Sequence, residues 1–306
     1  MHISQDLNLL NVGAGRGELL TQLRQVGFQN LTGLELSSDY VEFARTNYGL
    51  PMLVGDLQQR PFDIDPYDGL IMSEVLECVP DLNRCIEHMS SWLKPKGFVI
   101  LEVSDAEFFG EEMNAPFQEF KAERINFFTD ASLINLMQNH GFRPLAKRHH
   151  LCEKGNGTSR AMLTMIFQWG ADKKEPVHEA ASEQGIRRYL DRCKTEIDSE
   201  TKLISQIVAT QEPILVWGVG TLCQRLLATT DFKHANIVAF IDSDPQYHGK
   251  LMHHRQVLSP NDVINRFEPI LIASWSQQDE IMHLIQKTLA MKNRIITLRP
   301  LPAKPE

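Results

Sequence analysis

Short apolar runs alternate with amphipathic stretches along the whole chain. Residues 9–12 form a first apolar run, closed by a glycine turn. Residues 18–26 then repeat Leu19, Leu20, Leu23 and Val26 at helical spacing, and Gly27 ends the pattern. The alternation continues with a strand at 31–36, a helix at 38–48 carrying Val41, Phe43 and Ala44 inward, and strands at 52–57 and 67–73. Residues 82–93 read as an amphipathic helix, Lys94-Pro95-Lys96-Gly97 as a turn and 98–103 as a strand. A polar, acidic and aromatic insertion fills 104–129, containing Phe108, Phe109, Phe117, Phe120, Phe127 and Phe128. These rings are expected to line a pocket or to pack a lid. A helix at 130–140, capped by Thr129 or Asp130, leads to a strand after Gly141 and a last strand at 160–168.

Residues 170–184 hold few apolar side chains and read as a linker. Residues 185–210 form one long helical pattern with Ile186, Tyr189, Leu190, Cys193, Ile197, Leu203, Ile204 and Ile207 on an apolar face, suited to bridging domains or to packing in a homodimer. A second α/β series follows: strands at 213–217, 237–241, 270–273 and 294–298, with helices opening at 221 and 277. The expected fold class is α/β, with a doubly wound Rossmann-like domain at 1–169, a linker and bridging helix at 170–211, and a second, smaller Rossmann-like domain at 212–306.

Composition narrows the function classes. The chain has 306 residues, 42% apolar and 23% charged, with a formal charge of -8, which argues against a broad nucleic-acid surface. No apolar run approaches the ~18 residues of a membrane span. No basic segment followed by an apolar core opens the chain, so the expected location is cytoplasmic. The five cysteines are scattered, with no C-x-x-C pair, and read as reduced thiols without a zinc site. His149-His150 and His253-His254 are adjacent pairs, whose side chains in a strand face opposite ways; they read as surface or loop residues, and no metal is expected.

The chemistry gathers at strand ends. Gly13, Gly15 and Gly17 are spaced G-x-G-x-G, whereas a dinucleotide turn would place its third glycine at position 18, which is Glu18. Glu35 closes the second strand, where a carboxylate can accept both hydroxyls of a ribose. Asp56 closes the third, placed for an adenine amino group, with Leu57 against the ring. This series resembles the class I S-adenosylmethionine-dependent methyltransferases. The resemblance implies S-adenosylmethionine as cofactor, with its methionine end on Gly13, Gly15 and Gly17, its ribose on Glu35 and its adenine on Asp56 and Leu57. Ser73, at the end of the fourth strand, begins the stretch where that family holds the sulfonium side and the substrate. The Leu-Lys-Pro-x-Gly turn before the next strand fits the same family. The first strand begins almost at Met1, leaving no room for the helix the family places before it, so a more open cofactor site is expected.

The second half resembles the C-terminal domain of the sugar C-methyltransferases. It carries Gly218-Val219-Gly220, then Asp242-Ser243-Asp244-Pro245, then His248-Gly249-Lys250. The resemblance implies that Gly218, Gly220 and Asp242 hold the nucleotide part of a nucleotide-linked sugar, with the substrate reaching across the domain cleft. Two features depart from that family. Its clustered zinc-binding cysteines are lacking, and Arg124 stands where it has a histidine base. Arginine stays protonated and suits a phosphate or carboxylate instead. Glu123 is then the candidate base. The expected function is methyl transfer to a small-molecule acceptor. The rivals are a catalytically inactive accessory protein and an NAD-dependent enzyme using Gly218 and Asp242.

Overall fold

A computed structural model describes residues 4–58, 65–111, 115–153 and 159–299. The chain folds as two compact units, divided inside one long helix between Leu190 and Asp191. The first unit orders β1 (Leu9–Val12), α1 (Glu18–Gln25), β2 (Leu31–Glu35), α2 (Ser38–Tyr48), β3 (Met52–Val54), β4 (Tyr67–Ser73), α3 (Leu82–Ser91), β5 (Leu93–Ser104), α4 (Asp130–Asn139), β6 (Phe142–Glu153) and β7 (Ser159–Trp169). The sheet runs β3-β2-β1-β4-β5-β7-β6. Strands β1 to β5 pair in parallel, and β7 runs antiparallel against β5.

Alternation along each strand feeds two cores. Leu10, Val12, Leu70, Met72, Val99 and Leu101 pack with Ile86 and Met89 of α3 and with Leu133 and Met137 of α4. Leu9, Leu31, Met52 and Ile71 face the other way, onto Leu20, Val41 and Ala44 of α1 and α2. A buried strand read in this way shows its period of two only once both covering layers are known. The strand order reverses between β1 and β4, so their carboxyl ends frame a crevice of the kind in which open α/β sheets bind ligands.

Three local outcomes differ from the sequence reading. The turn at 94–97 is a bulge within β5: Tyr67 pairs Leu93 and Gly69 pairs Phe98, with Lys96 at φ +65°. The long helix α5 (Ala181–Thr210) begins four residues before Gly185. Glu179 accepts the Ser182 amide at 3.0 Å and its hydroxyl, which starts the helix early. Gly185 is there for close approach, since a Cβ would lie 2.6 Å from the Ala106 carbonyl oxygen. The helix expected from 277 is α7 (Gln278–His283) followed by a π-turn over Leu284–Thr288, where the Leu289 amide reaches back to the Leu284 carbonyl at 2.9 Å.

The second unit contains β8 (Ile214–Trp217), α6 (Thr221–Thr229), β9 (Ile237–Ile241), β10 (Leu251–Met252), β11 (Arg255–Leu258), β12 (Ile270–Ile272), α7 and β13 (Ile295–Thr297). Its sheet order is β10-β11-β9-β8-β12-β13, parallel except for the short β10–β11 hairpin. Leu215, Trp217, Ile241, Ile270 and Ile272 form its core with Ile281 and Ile285.

Candidate functional site

The glycine turn of the first unit leaves β1 with Gly13, Gly15 and Gly17 at φ +69°, +55° and +86°. Gly13 is confined as well as twisted: a Cβ would lie 2.4 Å from Val75 Cγ2. Gly15 is open, since a Cβ there would approach nothing nearer than Glu18 Oε2 at 4.0 Å. An approaching ligand can therefore reach the main chain at Gly15. Gly17 is the N-cap of α1 and supplies no side-chain cap, so the first amides of the helix keep their donors.

Glu35 ends β2 facing this turn. Its Oε2 accepts the Gly15 amide at 2.9 Å and its Oε1 accepts the Ser37 amide at 3.0 Å. Two amides fix the carboxylate, and an ionised carboxylate has further acceptor capacity for a pair of hydroxyls. Leu36, the next residue, is 69% exposed, a flat apolar surface beside the acid that pattern reading passed over. A buried strand run gives no hint that its last apolar residue points outward. Asp56 Oδ1 accepts the Gln58 amide at 2.8 Å, an Asx-type turn that fixes the carboxylate after β3. Leu57 lies in the core at 7% exposure, and its carbonyl meets His88 Nδ1 at 2.8 Å. Ser73 donates to Glu102 Oε1 at 2.7 Å, linking the ends of β4 and β5.

Arg124 sits in a cluster assembled from distant parts of the sequence. Its guanidinium donates to Glu74, to Glu119 at 3.2 Å and to the Ser104 hydroxyl at 2.7 Å. Arg160 at the start of β7 also binds Glu74, at 2.6 Å, with its Nε 3.5 Å from Glu119. Glu119 and both arginines are buried or nearly so. Glu74 holds this geometry in a left-handed backbone, φ +54°. Glu123 is exposed on the neighbouring turn. Glu77 is buried; its Oε1 accepts the Ser104 amide at 2.8 Å, and its carbonyl accepts the amides of Ile125 and Asn126. Burial pushes the Glu77 carboxyl above the usual range, against the pull of its backbone bonds and Arg124.

Among the aromatics of the insertion, Phe109 and Phe120 each pack edge-to-face with Phe127 and with Tyr189, at 5.2–6.2 Å between centroids. Phe108 turns instead to His149, at 5.6 Å.

In the second unit, Gly218 follows β8 at φ +103°, and Gly220 caps α6. Asp242 ends β9: its Oδ2 accepts the Val219 amide at 2.9 Å and its Oδ1 accepts the Asp244 amide at 2.9 Å. Among the described residues, no cluster of three or more His, Cys, Asp or Glu could hold a metal ion, and no helix is long and apolar enough to cross a membrane.

Comparison with known proteins finds similarity in both units. Residues 2–147 match the family described as "Methyltransferase domain", and residues 210–296 match "C2185-like, N-terminal". The chain is 32% identical over 119 residues to the lovastatin nonaketide synthase polyketide synthase component of Aspergillus terreus, covering 35% of this chain and 4% of that protein. It is 34% identical over 99 residues to a ubiquinone biosynthesis O-methyltransferase of Paramagnetospirillum magneticum, covering 30% of this chain and 39% of that protein. A SAM-dependent methyltransferase structure from Methanosarcina mazei superposes with a TM-score of 0.46 at 18% identity, over 56% of this chain and 95% of that one. The chain therefore spans a small part of the curated relatives it matches. Its first unit carries a methyltransferase domain, and S-adenosylmethionine is the cofactor of that domain.

Proposed function

We propose that this protein transfers a methyl group from S-adenosylmethionine to a small-molecule acceptor. The observation that carries the reading is the Glu35 carboxylate, clamped by the Gly15 and Ser37 amides at the mouth of the β1 turn. The residues present fit the cofactor. Gly15 leaves the main chain open to the methionine end, Glu35 offers its remaining lone pairs to the ribose, and Asp56 is fixed for the adenine amino group, with Leu36 as the apolar surface beside them. When bound, S-adenosylmethionine supplies an electrophilic methyl group on a sulfonium, so the protein's own contribution is chiefly positioning. Ser73 and Glu102 lie at the ends of the next two strands and would border the acceptor.

The acceptor class we favour is a nucleotide-linked sugar. What supports it is the second unit, where Asp242 is clamped by amides as Glu35 is, beside a glycine turn at a helix start. Such a turn suits a diphosphate, and the acid suits a ribose. Arg124, in the first unit, would bind an anionic group only by giving up Glu74 or Glu119. That engagement is the one observation favouring the accessory-protein reading.

The experiment is transfer of labelled methyl from S-adenosylmethionine into a small-molecule pool enriched in nucleotide-linked sugars. Label entering a product with wild type and absent with Asp56→Ala supports the enzyme. Cofactor binding without label in any product supports the accessory protein.

A further inference from the structure

Two nearly buried arginines meet one exposed acid beside the glycine turn of the first unit. Arg124 Nη2 and Arg160 Nη1 both donate to the same oxygen of Glu74, Oε2, Arg160 at 2.6 Å. Behind them lies Glu119, whose Oε2 is 3.2 Å from Arg124 Nη1 and 3.5 Å from Arg160 Nε. The two acids are held differently. The Glu119 side chain is 4% exposed and the Glu74 side chain 38%. Glu119 is enclosed with its partners, whereas Glu74 can swing into water without leaving its own charge buried. Its backbone need not move, because the Glu74 amide is held by the Glu102 carbonyl at 2.9 Å.

The arginines are anchored where they stand. Arg124 also donates to the Ser104 hydroxyl at 2.7 Å, and Arg160 lies at the start of β7. Arg160 Nε is buried and has no hydrogen-bond partner, so this guanidinium has donor capacity to spare. With Glu74 turned away, two positive charges face the one negative charge of Glu119. A single carboxylate restores the balance. Its two oxygens can give each guanidinium its own acceptor, where Glu74 gives both the same atom. A phosphate, with nearly two charges, would exceed what the pair can neutralise.

This exchange lies next to the methyl donor's site. Glu74 follows Ser73 at the end of β4. Val75, the next residue, packs against the glycine turn, since a Cβ on Gly13 would lie 2.4 Å from Val75 Cγ2.

We propose that Arg124 and Arg160 are the seat for a carboxylate carried by the acceptor, and that Glu74 fills this seat until the acceptor displaces it. The inference rests on the methyl-transfer reading above and narrows its acceptor from a nucleotide-linked sugar to a nucleotide-linked sugar acid. It also gives the engagement of Arg124 by Glu74 a role in an active enzyme. An internal carboxylate keeps the guanidiniums compensated while no acceptor is bound. The acceptor's apparent affinity is then reduced by the fraction of molecules in which the seat is open.

The test is calorimetric titration of the full chain, with S-adenosylhomocysteine bound first. The probes are uridine diphosphate glucuronate and uridine diphosphate glucose, which differ by one carboxylate. Wild type is expected to bind the acid about tenfold more tightly. Glu74→Gln keeps the size and removes the competing charge, so it is expected to widen this preference roughly fivefold or more. A merely structural Glu74 would not tighten binding of the acid when neutralised. Arg160→Gln is expected to reduce the preference to within about twofold. Equal affinities for the two probes in wild type overturn the proposal without any variant, and so does a preference unchanged in Glu74→Gln. If neither probe binds, the nucleotide-linked acceptor fails; if S-adenosylhomocysteine gives no heat, the methyl-transfer reading fails. The proposal falls with either, and each failure is read separately.

Discussion

The Gly15 amide donates to Glu35 Oε2 at 2.9 Å, joining the end of β2 to the turn after β1. The Val219 amide donates to Asp242 Oδ2 at 2.9 Å in the second unit, joining the end of β9 to the turn after β8. In both units an acid closing the second strand holds the loop leaving the first, and each acid accepts a second amide two residues on. The equivalence predicts that Asp242→Ala weakens binding of uridine diphosphate to the full chain by about tenfold or more, as expected for a lost charge-assisted contact and a released loop. Calorimetric titration measures it, and equal affinity in the variant removes Asp242 from the site.

Gly13 is the turn position with least room. Alanine there meets both the left-handed backbone, φ +69°, and Val75 Cγ2 at 2.4 Å. Gly13→Ala is expected to cost about 2 kcal/mol or more in denaturant unfolding. Adding Val75→Ala removes the clashing methyl and leaves the backbone term of about 1 kcal/mol. An unchanged penalty in the double variant would show that the clash had already been relieved by movement of Val75.

Arg124 and Glu119 form a nearly buried ion pair at 3.2 Å. Removing one partner of such a pair leaves the other charge without compensation, so Arg124→Ala is expected to lose about 3 kcal/mol of stability. Arg160 remains 3.5 Å from Glu119 and softens the loss. Thermal unfolding reads it; a change within about 0.5 kcal/mol, as for an ordinary surface substitution, would contradict a structural role.

Glu77 carries a pH signature. Its folded pKa lies above the usual value because burial disfavours the charged carboxylate. The native state then holds the proton more tightly than the unfolded state between the two pKa values. This contribution is complete below the unfolded pKa and is lost as the pH rises through the folded one. Glu77→Gln keeps an acceptor for the Ser104 amide and removes the titration. The variant is therefore expected to gain stability relative to wild type as pH rises from the acid side toward neutrality. A gap that stays constant across that range would contradict the shift.

The reading of Glu35 and Asp56 as acids closing short apolar strands rests on local information, and the structure places each where its own backbone neighbours fix it. The strands of the first sheet were legible for the same reason, because their apolar runs are short and bounded by turns. The cluster of Glu74, Glu119, Arg124 and Arg160 was not legible. Its members come from three segments, and Arg160 is 86 residues from Glu74. The His149–Asp105 pair spans 44 residues and depends on β6 adding beyond β7, which no pattern in either strand announces. Pro95 and Gly97 carry turn chemistry that hides the bulge at Lys96, although pairing with β4 continues past it.

In this reading the first unit binds S-adenosylmethionine through Glu35. The most direct measurement is calorimetric titration of the full chain with S-adenosylhomocysteine, for wild type and Glu35→Ala. Binding on the order of micromolar is expected for wild type, weakened at least about tenfold in the variant. Equal affinity in both proteins, or no heat of binding at millimolar ligand, would contradict it.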